Sequence, residues 1–181
     1  LKLYVKRVFI TDNCPELVPP YLRFIRGVID SEDLPLNISR EMLQNNPVVA
    51  KIRSSLVKRT LSDLKKKLLK DRKSFESFWL NFGPVLKEGI YEDFEKKESL
   101  LEIALFKNSK SKELISLDEY VEGMGKKQKD IYFMTGDSYE NIMNNPSLEG
   151  YKSRDINVLI LDDPVDSFWT SSTPLYKEKS F

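Results

Sequence analysis

The sequence predicts a mixed α/β chain, and three observations predict it. The first residues alternate, with Leu1, Leu3 and Val5 on one face and Lys2, Tyr4 and Lys6 on the other. A long helical pattern begins at Pro47, with Val49, Ile52, Leu56, Leu61, Leu64 and Leu68 recurring near the helical period. The last third then reads strand, helix, strand, which predicts a parallel pair joined by a crossover.

Taken in order, residues 1–10 read as one half-buried strand, because period-two alternation presents one face to a core. Thr11 to Pro20 carries Asp12, Asn13, Pro15, Pro19 and Pro20, which is turn chemistry. Tyr21–Ile25 reads as a short helix with Pro20 near its first turn. Residues 27–29 read as a short buried strand that runs into an acidic, proline-containing stretch. Asn46 is a good N-cap, and Pro47 suits the first helical position, where no N–H is needed. Phe75, Phe78, Trp79 and Phe82 share one helical face, and Gly83 and Pro84 are expected to stop that helix. The stripe reads as core rather than as a peptide-binding face. Residues 92–106 read as a further helix, and 108–112 as a polar loop and plausible boundary. Ser116-Leu-Asp-Glu119 is a capping box opening a short helix. Residues 130–134 predict a strand and 139–143 a helix capped by Asp137 or Ser138. Residues 146–152 predict a second helical piece, and 156–161 a strongly apolar strand.

Composition excludes more than it identifies. The 181 residues contain 10 Phe, 8 Tyr and 2 Trp, enough aromatic material for a core. The formal net charge is +1, which counts against a dedicated nucleic-acid binder. There is no histidine, which removes Ser-His-Asp and Cys-His catalysis and every His-ligated metal site. The single cysteine, Cys14, allows no intrachain disulfide and fits a reducing compartment. Without an activating base it reads as an inert thiol. No apolar run reaches the ~18 residues of a membrane span, and no signal peptide is visible. The chain opens at Leu1 in strand-like sequence and reads as a piece of a longer protein.

Several motifs have both a functional and an ordinary reading. Lys65, Lys66 and Lys67 are a basic patch, but a cationic helix end favoured by the macrodipole is the ordinary explanation. Gly123-Met-Gly125 lacks the third glycine of a dinucleotide fingerprint. Thr135-Gly-Asp-Ser138 suits an anion at a helix N-terminus, or simply a turn and a cap. Asp162, Asp163 and Asp166 suit a divalent cation, though too few ligands are fixed. In Leu34-Pro-Leu-Asn-Ile-Ser-Arg40, the apolar residues Leu34, Leu36 and Ile38 alternate with Asn37 and Ser39. That row suits docking on another surface, and Arg40 could offer its fork of donors to a phosphate. A plain surface arginine is the ordinary reading.

This same segment makes the sequence recognisable. Residues 3–10, the run from Gly27 to Gln44, then Trp79-Leu-Asn-Phe-Gly-Pro-Val-Leu-Lys-Glu-Gly-Ile-Tyr-Glu-Asp93 and Ile131-Tyr-Phe-Met-Thr-Gly-Asp137 closely resemble the middle domain of the ninety-kilodalton heat-shock chaperone family, especially its bacterial members. The resemblance covers nearly the whole chain in order. It implies an incomplete larger α/β unit at 1–71, a helical connector at 72–107 and a small α/β/α unit at 108–181. It implies an ATP-dependent chaperone whose N-terminal domain holds ATP and Mg and whose C-terminal domain makes a homodimer. Both domains, and the first elements of the middle domain, are expected to lie outside this chain. That would leave a sheet edge open, and the chain alone is expected to be inactive.

Carried over by position, Arg40 matches the arginine that reaches the γ-phosphate, and Gln44 the supporting glutamine. Asn37 falls on the polar position of the same motif. Leu34, Leu36 and Ile38 would dock on the nucleotide domain, which would also supply the general base. Unfolded client proteins and co-chaperones are the implied partners, in the cytoplasm, with neither nucleic acid nor membrane involved. A competing reading is a pure protein-binding module with no catalytic contribution. Phe168 and Trp169 are its candidate contacts, although a large aromatic serves equally as a buried anchor.

Overall fold

The computed structural model describes every residue except Pro174, and for Arg40 the backbone alone. The described residues form two compact units, Leu1–Asp63 and Leu64–Phe181.

In the first unit, β1 (Lys2–Val5) and β2 (Val8–Thr11) pair antiparallel. The single strand expected over residues 1–10 is therefore a hairpin. It turns at Lys6 and Arg7, both left-handed at φ 49° and 66°. No glycine or asparagine marks that turn. Asp30 holds it instead, accepting from the Arg7 backbone N–H at 3.1 Å. β3 (Val28–Ser31) pairs parallel with β1, giving the order β2-β1-β3. Val28 is exposed, so this strand is less buried than the sequence suggested.

Leu3 and Val5 point from β1 into a core of Cys14, Leu17, Leu34, Ile38, Leu43 and Val49. Residues 20–22 make one 3-10 turn in place of the expected helix. The five-residue α1 (Arg40–Gln44) precedes the long α2 (Pro47–Lys70). Asn46 caps α2 as predicted: its Oδ1 accepts from the N–H groups of Val48 at 2.8 Å and Val49 at 3.3 Å.

In the second unit, α3 (Arg72–Glu92) is capped by Asp71, which accepts from the Ser74 N–H at 3.2 Å. The helix runs straight past Gly83 and Pro84, where the sequence predicted a stop. Proline removes a hydrogen-bond donor at a cost of ~3 kcal/mol. Apolar spacing continues beyond it, however, and Leu86 and Ile90 are buried with Phe75 and Trp79. Gly83 has its own reason: a Cβ there would lie 2.8 Å from the Trp79 indole.

The helix expected over 92–106 shrinks to α4 (Lys97–Leu101), and β4 (Leu105–Asn108) takes the remainder. β5 (Ile115–Ser116) and α5 (Leu117–Glu122) follow, the latter opened by the predicted capping box at Ser116 and Glu119. Next come β6 (Phe133–Thr135), α6 (Tyr139–Met143), α7 (Glu149–Lys152), β7 (Leu159–Leu161) and α8 (Asp166–Ser172). The sheet order is β5-β4-β7-β6, with β6 and β7 parallel as expected. A final hairpin, β8 (Leu175–Tyr176) and β9 (Lys179–Ser180), was not anticipated.

Candidate functional site

The arginine-bearing loop is built from its anchors outward. β3 ends at Ser31 and is followed by the acidic pair Glu32 and Asp33, after which Leu34 enters the core at 1% exposure. A turn follows, with the Ile38 N–H donating to the Pro35 carbonyl at 3.3 Å. Ile38 is buried too, and Leu36 between them is 52% exposed. Ser39 takes the extended conformation that precedes a helix, and its hydroxyl lies 3.1 Å from the Glu41 carboxylate. The Leu43 N–H donates to the Ser39 carbonyl at 3.2 Å, and the Leu43 side chain is buried. Leu34, Ile38 and Leu43 thus pin the loop, and Asn46 fixes its exit. Facing outward are Leu36, Asn37, Met42 and Gln44. Arg40 is the first residue of α1 and Gln44 the last, one turn on. The Arg40 side chain lies outside the described residues.

This geometry corrects the apolar row. An alternating pattern suggests one shared face only in a strand. Here the backbone turns, so Leu34 and Ile38 serve the core and Leu36 alone offers apolar surface. Met42 joins it, unnoticed in the sequence because a methionine in a helix ordinarily reads as packing.

A family model described as Hsp90 protein matches residues 1–181. The chain belongs to the Hsp90 family. It is 54% identical over 181 residues to the chaperone protein HtpG of Paramagnetospirillum magneticum, covering 100% of this chain and 29% of that protein. It is 51% identical over 174 residues to HtpG of Rhodospirillum rubrum, covering 96% and 28%. This Hsp90-family chain therefore spans less than a third of the length of the curated relatives it matches. Among solved structures, the middle domain of a Plasmodium falciparum heat shock protein superposes with a TM-score of 0.86 at 32% identity, over 99% of this chain and 70% of that one. The chain is thus an Hsp90 middle-domain segment of mixed α/β fold.

The other candidates resolve in turn for this Hsp90-family segment. Phe168 is 59% exposed on α8, beside the exposed Tyr91 with ring centroids 6.1 Å apart. Trp169 is fully buried, so it is an anchor rather than a contact; it packs on Phe106 at 5.7 Å and donates its indole N–H to Asp166 at 2.7 Å. Asp163 and Asp166 both pair with Lys87, at 2.8 and 2.9 Å, and Asp162 pairs with Lys107. Lysines therefore supply the cations for these carboxylates. No group of three or more carboxylate, cysteine or histidine side chains among the described residues is placed to hold a metal ion.

Cys14 is buried, and that burial together with the Glu16 carboxylate pushes its thiol up to about 11, far from a reactive thiolate. Ser138 caps α6, its side chain accepting from the Asn141 N–H, so that segment is a turn and a cap. Lys65 pairs with Glu102 at 2.6 Å. No helix among the described residues is long and apolar enough to cross a membrane.

Proposed function

We propose that this chain contributes the arginine loop of an ATP-driven, cytoplasmic, homodimeric chaperone. In that reading Arg40 reaches the γ-phosphate of ATP held, with Mg, by a separate nucleotide domain. One observation carries the reading: the loop is pinned by three buried residues while a short helix opens at Arg40 and ends at Gln44. Residues four apart on a helix share a face, which supports joint action of the two positions on one ligand.

Arginine is always charged and presents a rigid planar fork, which suits the spread charge of a transferring phosphoryl group. Its role is positioning and charge stabilisation, with no proton transfer. Glu41, the carboxylate next to Arg40 in sequence, lies against the Ser39 hydroxyl, and the general base would come from the nucleotide domain. Gln44 and Asn37 would orient the approach, and Leu36 would be the apolar contact with that domain. The division into segments 1–71, 72–107 and 108–181 belongs to the same proposal, as does inactivity of the chain alone.

The test is steady-state ATP hydrolysis and ATP affinity of the full-length protein carrying Arg40→Ala. An arginine finger is worth ~10³–10⁵ in rate at best, and less where domain closure limits turnover. A loss of about tenfold or more in kcat with ATP affinity within about twofold supports a transition-state role. Unchanged turnover refutes it.

A second reading, binding of unfolded clients or co-chaperones without a catalytic part, rests on exposed Phe168 beside Tyr91. Photo-crosslinking from position 168 to an unfolded protein tests it. Crosslinks no stronger there than at exposed Leu69 would refute it.

A further inference from the structure

Away from the arginine loop and from Phe168, the second unit holds an open groove of about 490 Å³ with cationic walls. Lys110, Lys126, Lys127, Tyr132, Arg154 and Asp155 line it. The whole chain carries only +1, so this is a local concentration of charge. Lys110 is already paired, with Asp155 at 2.6 Å. Lys126, Lys127 and Arg154 make no ion pair among the described residues. The backbone N–H groups of Gly125, Lys126 and Lys127 also find no acceptor within the described chain. Three free cations and three successive unused N–H groups thus border one groove, a donor set suited to carboxylates.

Both rims are held in place. On one side the Gln128 side chain donates to the Tyr120 hydroxyl at 3.0 Å and to the Asp130 carbonyl at 2.9 Å. The buried Tyr120 hydroxyl also accepts from the Tyr132 N–H at 3.0 Å and donates to the Asn157 carbonyl at 2.7 Å. On the other side Asp155 sits in the left-handed region at φ 55°, and the next N–H, of Ile156, closes back on the Tyr151 carbonyl at 3.0 Å. A prearranged site loses less freedom on binding.

We propose that this groove binds a short acidic segment of a partner protein, its carboxylates meeting Lys126, Lys127 and Arg154. A peptide fits better than a polynucleotide. Nucleic acid needs a basic track along many phosphates and open aromatic faces for its bases. Here the free cations are few, Asp155 interrupts them, and the Tyr132 ring is packed on Tyr151 at 5.1 Å.

The test uses this chain and fluorescence anisotropy of a labelled short peptide rich in aspartate and glutamate, against an isosteric asparagine and glutamine peptide. The variant Lys126→Glu, Lys127→Glu, Arg154→Glu is expected to weaken acidic-peptide binding about ten- to a hundredfold, as three exposed pairs imply. The charge-matched variant Lys51→Glu, Lys58→Glu, Lys70→Glu should stay within about twofold, since its changes lie outside the groove. Circular dichroism checks folding, and Lys126→Gln with Lys127→Gln, which cannot repel, should still show a loss. Equal binding of the neutral peptide overturns the proposal. So does equal weakening by both triple variants, which would mean diffuse attraction. Tighter binding of a single-stranded oligonucleotide at the same residues would assign the groove to nucleic acid and overturn it as well.

Discussion

Lys87 is a helix lysine only 4% exposed, and replacing it by methionine isolates what its charge does. Its Nζ donates to Asp163 Oδ2 at 2.8 Å and Asp166 Oδ2 at 3.1 Å, and lies 5.1 Å from the Phe106 ring centre. Methionine keeps most of the length and apolar packing but removes the charge. Asp166, fully buried, would keep only the Trp169 indole N–H at 2.7 Å and the Asp163 backbone N–H at 3.1 Å. Asp163 is one-third exposed, so water replaces its partner cheaply. The cost therefore falls on Asp166, and stranding one member of a buried pair costs about 3–5 kcal/mol.

At ~2–4 °C per kcal/mol for a chain of this size, Lys87→Met should lower Tm by about 6–20 °C. Guanidinium unfolding followed by tryptophan fluorescence reads the change, because Trp169 touches the stranded carboxylate. The double variant with Asp166→Asn, whose amide oxygen still accepts from Trp169, should recover about 2 kcal/mol or more relative to additivity. A loss below about 1 kcal/mol for Lys87→Met, or additive behaviour of the pair, would refute the reasoning.

Gly83→Ala places a methyl 2.8 Å from the Trp79 indole, so overpacking of ~1–3 kcal/mol should outweigh a helix-propensity gain of ~1 kcal/mol. Gly150→Ala, which meets nothing within 4 Å, should be neutral or stabilising in the same thermal melt. Cys14 should resist a thiol reagent at pH 8 until the chain unfolds, since its thiol is buried and pushed up to about 11; rapid labelling of the native chain would contradict this. Burial alone would raise Asp118, but hydrogen bonds from Lys177 and Tyr176 outweigh it and hold the carboxyl below its ordinary value. The unfolded chain then takes up the proton first as pH falls. The stability of the protein over Asp118→Asn should be complete above ~pH 4 and disappear through the lower folded value, as paired pH-dependent melts would show.

Local chemistry was legible wherever a residue acts on its own neighbours. The Asn46 cap, the Ser116–Glu119 box and the parallel pair β6–β7 follow directly from residue type and period. Longer-range chemistry was not. Nothing near Asp163 and Asp166 in sequence announces that Lys87 neutralises them, because it arrives from a different helix. Gly83 and Pro84 spell a stop, but the burial of Leu86 and Ile90 outweighs the lost donor. At the arginine loop, residue identity pointed to the segment, whereas the period-two pattern misassigned Leu34 and Ile38. Their burial depends on a turn after Leu34 that alternation cannot encode.

The two missed hairpins share a physical cause. A tight hairpin wants left-handed residues at both central positions, hence the usual Asn-Gly. Here the pairs are Lys6-Arg7 and Lys177-Glu178, with φ of 49° and 66°, then 45° and 64°. Each such residue costs ~1–2 kcal/mol. In both turns a distant aspartate offsets the cost. Asp30 accepts from the Arg7 N–H at 3.1 Å. Asp118 accepts from the Tyr176 hydroxyl at 2.7 Å and pairs with Lys177 at 2.6 Å. The turns are therefore specified by tertiary partners rather than by their own residues. Asp30→Ala should for that reason loosen the β1–β2 hairpin far more than its exposed position suggests, seen as faster amide exchange across Val5 and Val8. Exchange unchanged there would mean that the strand pairing itself holds the turn.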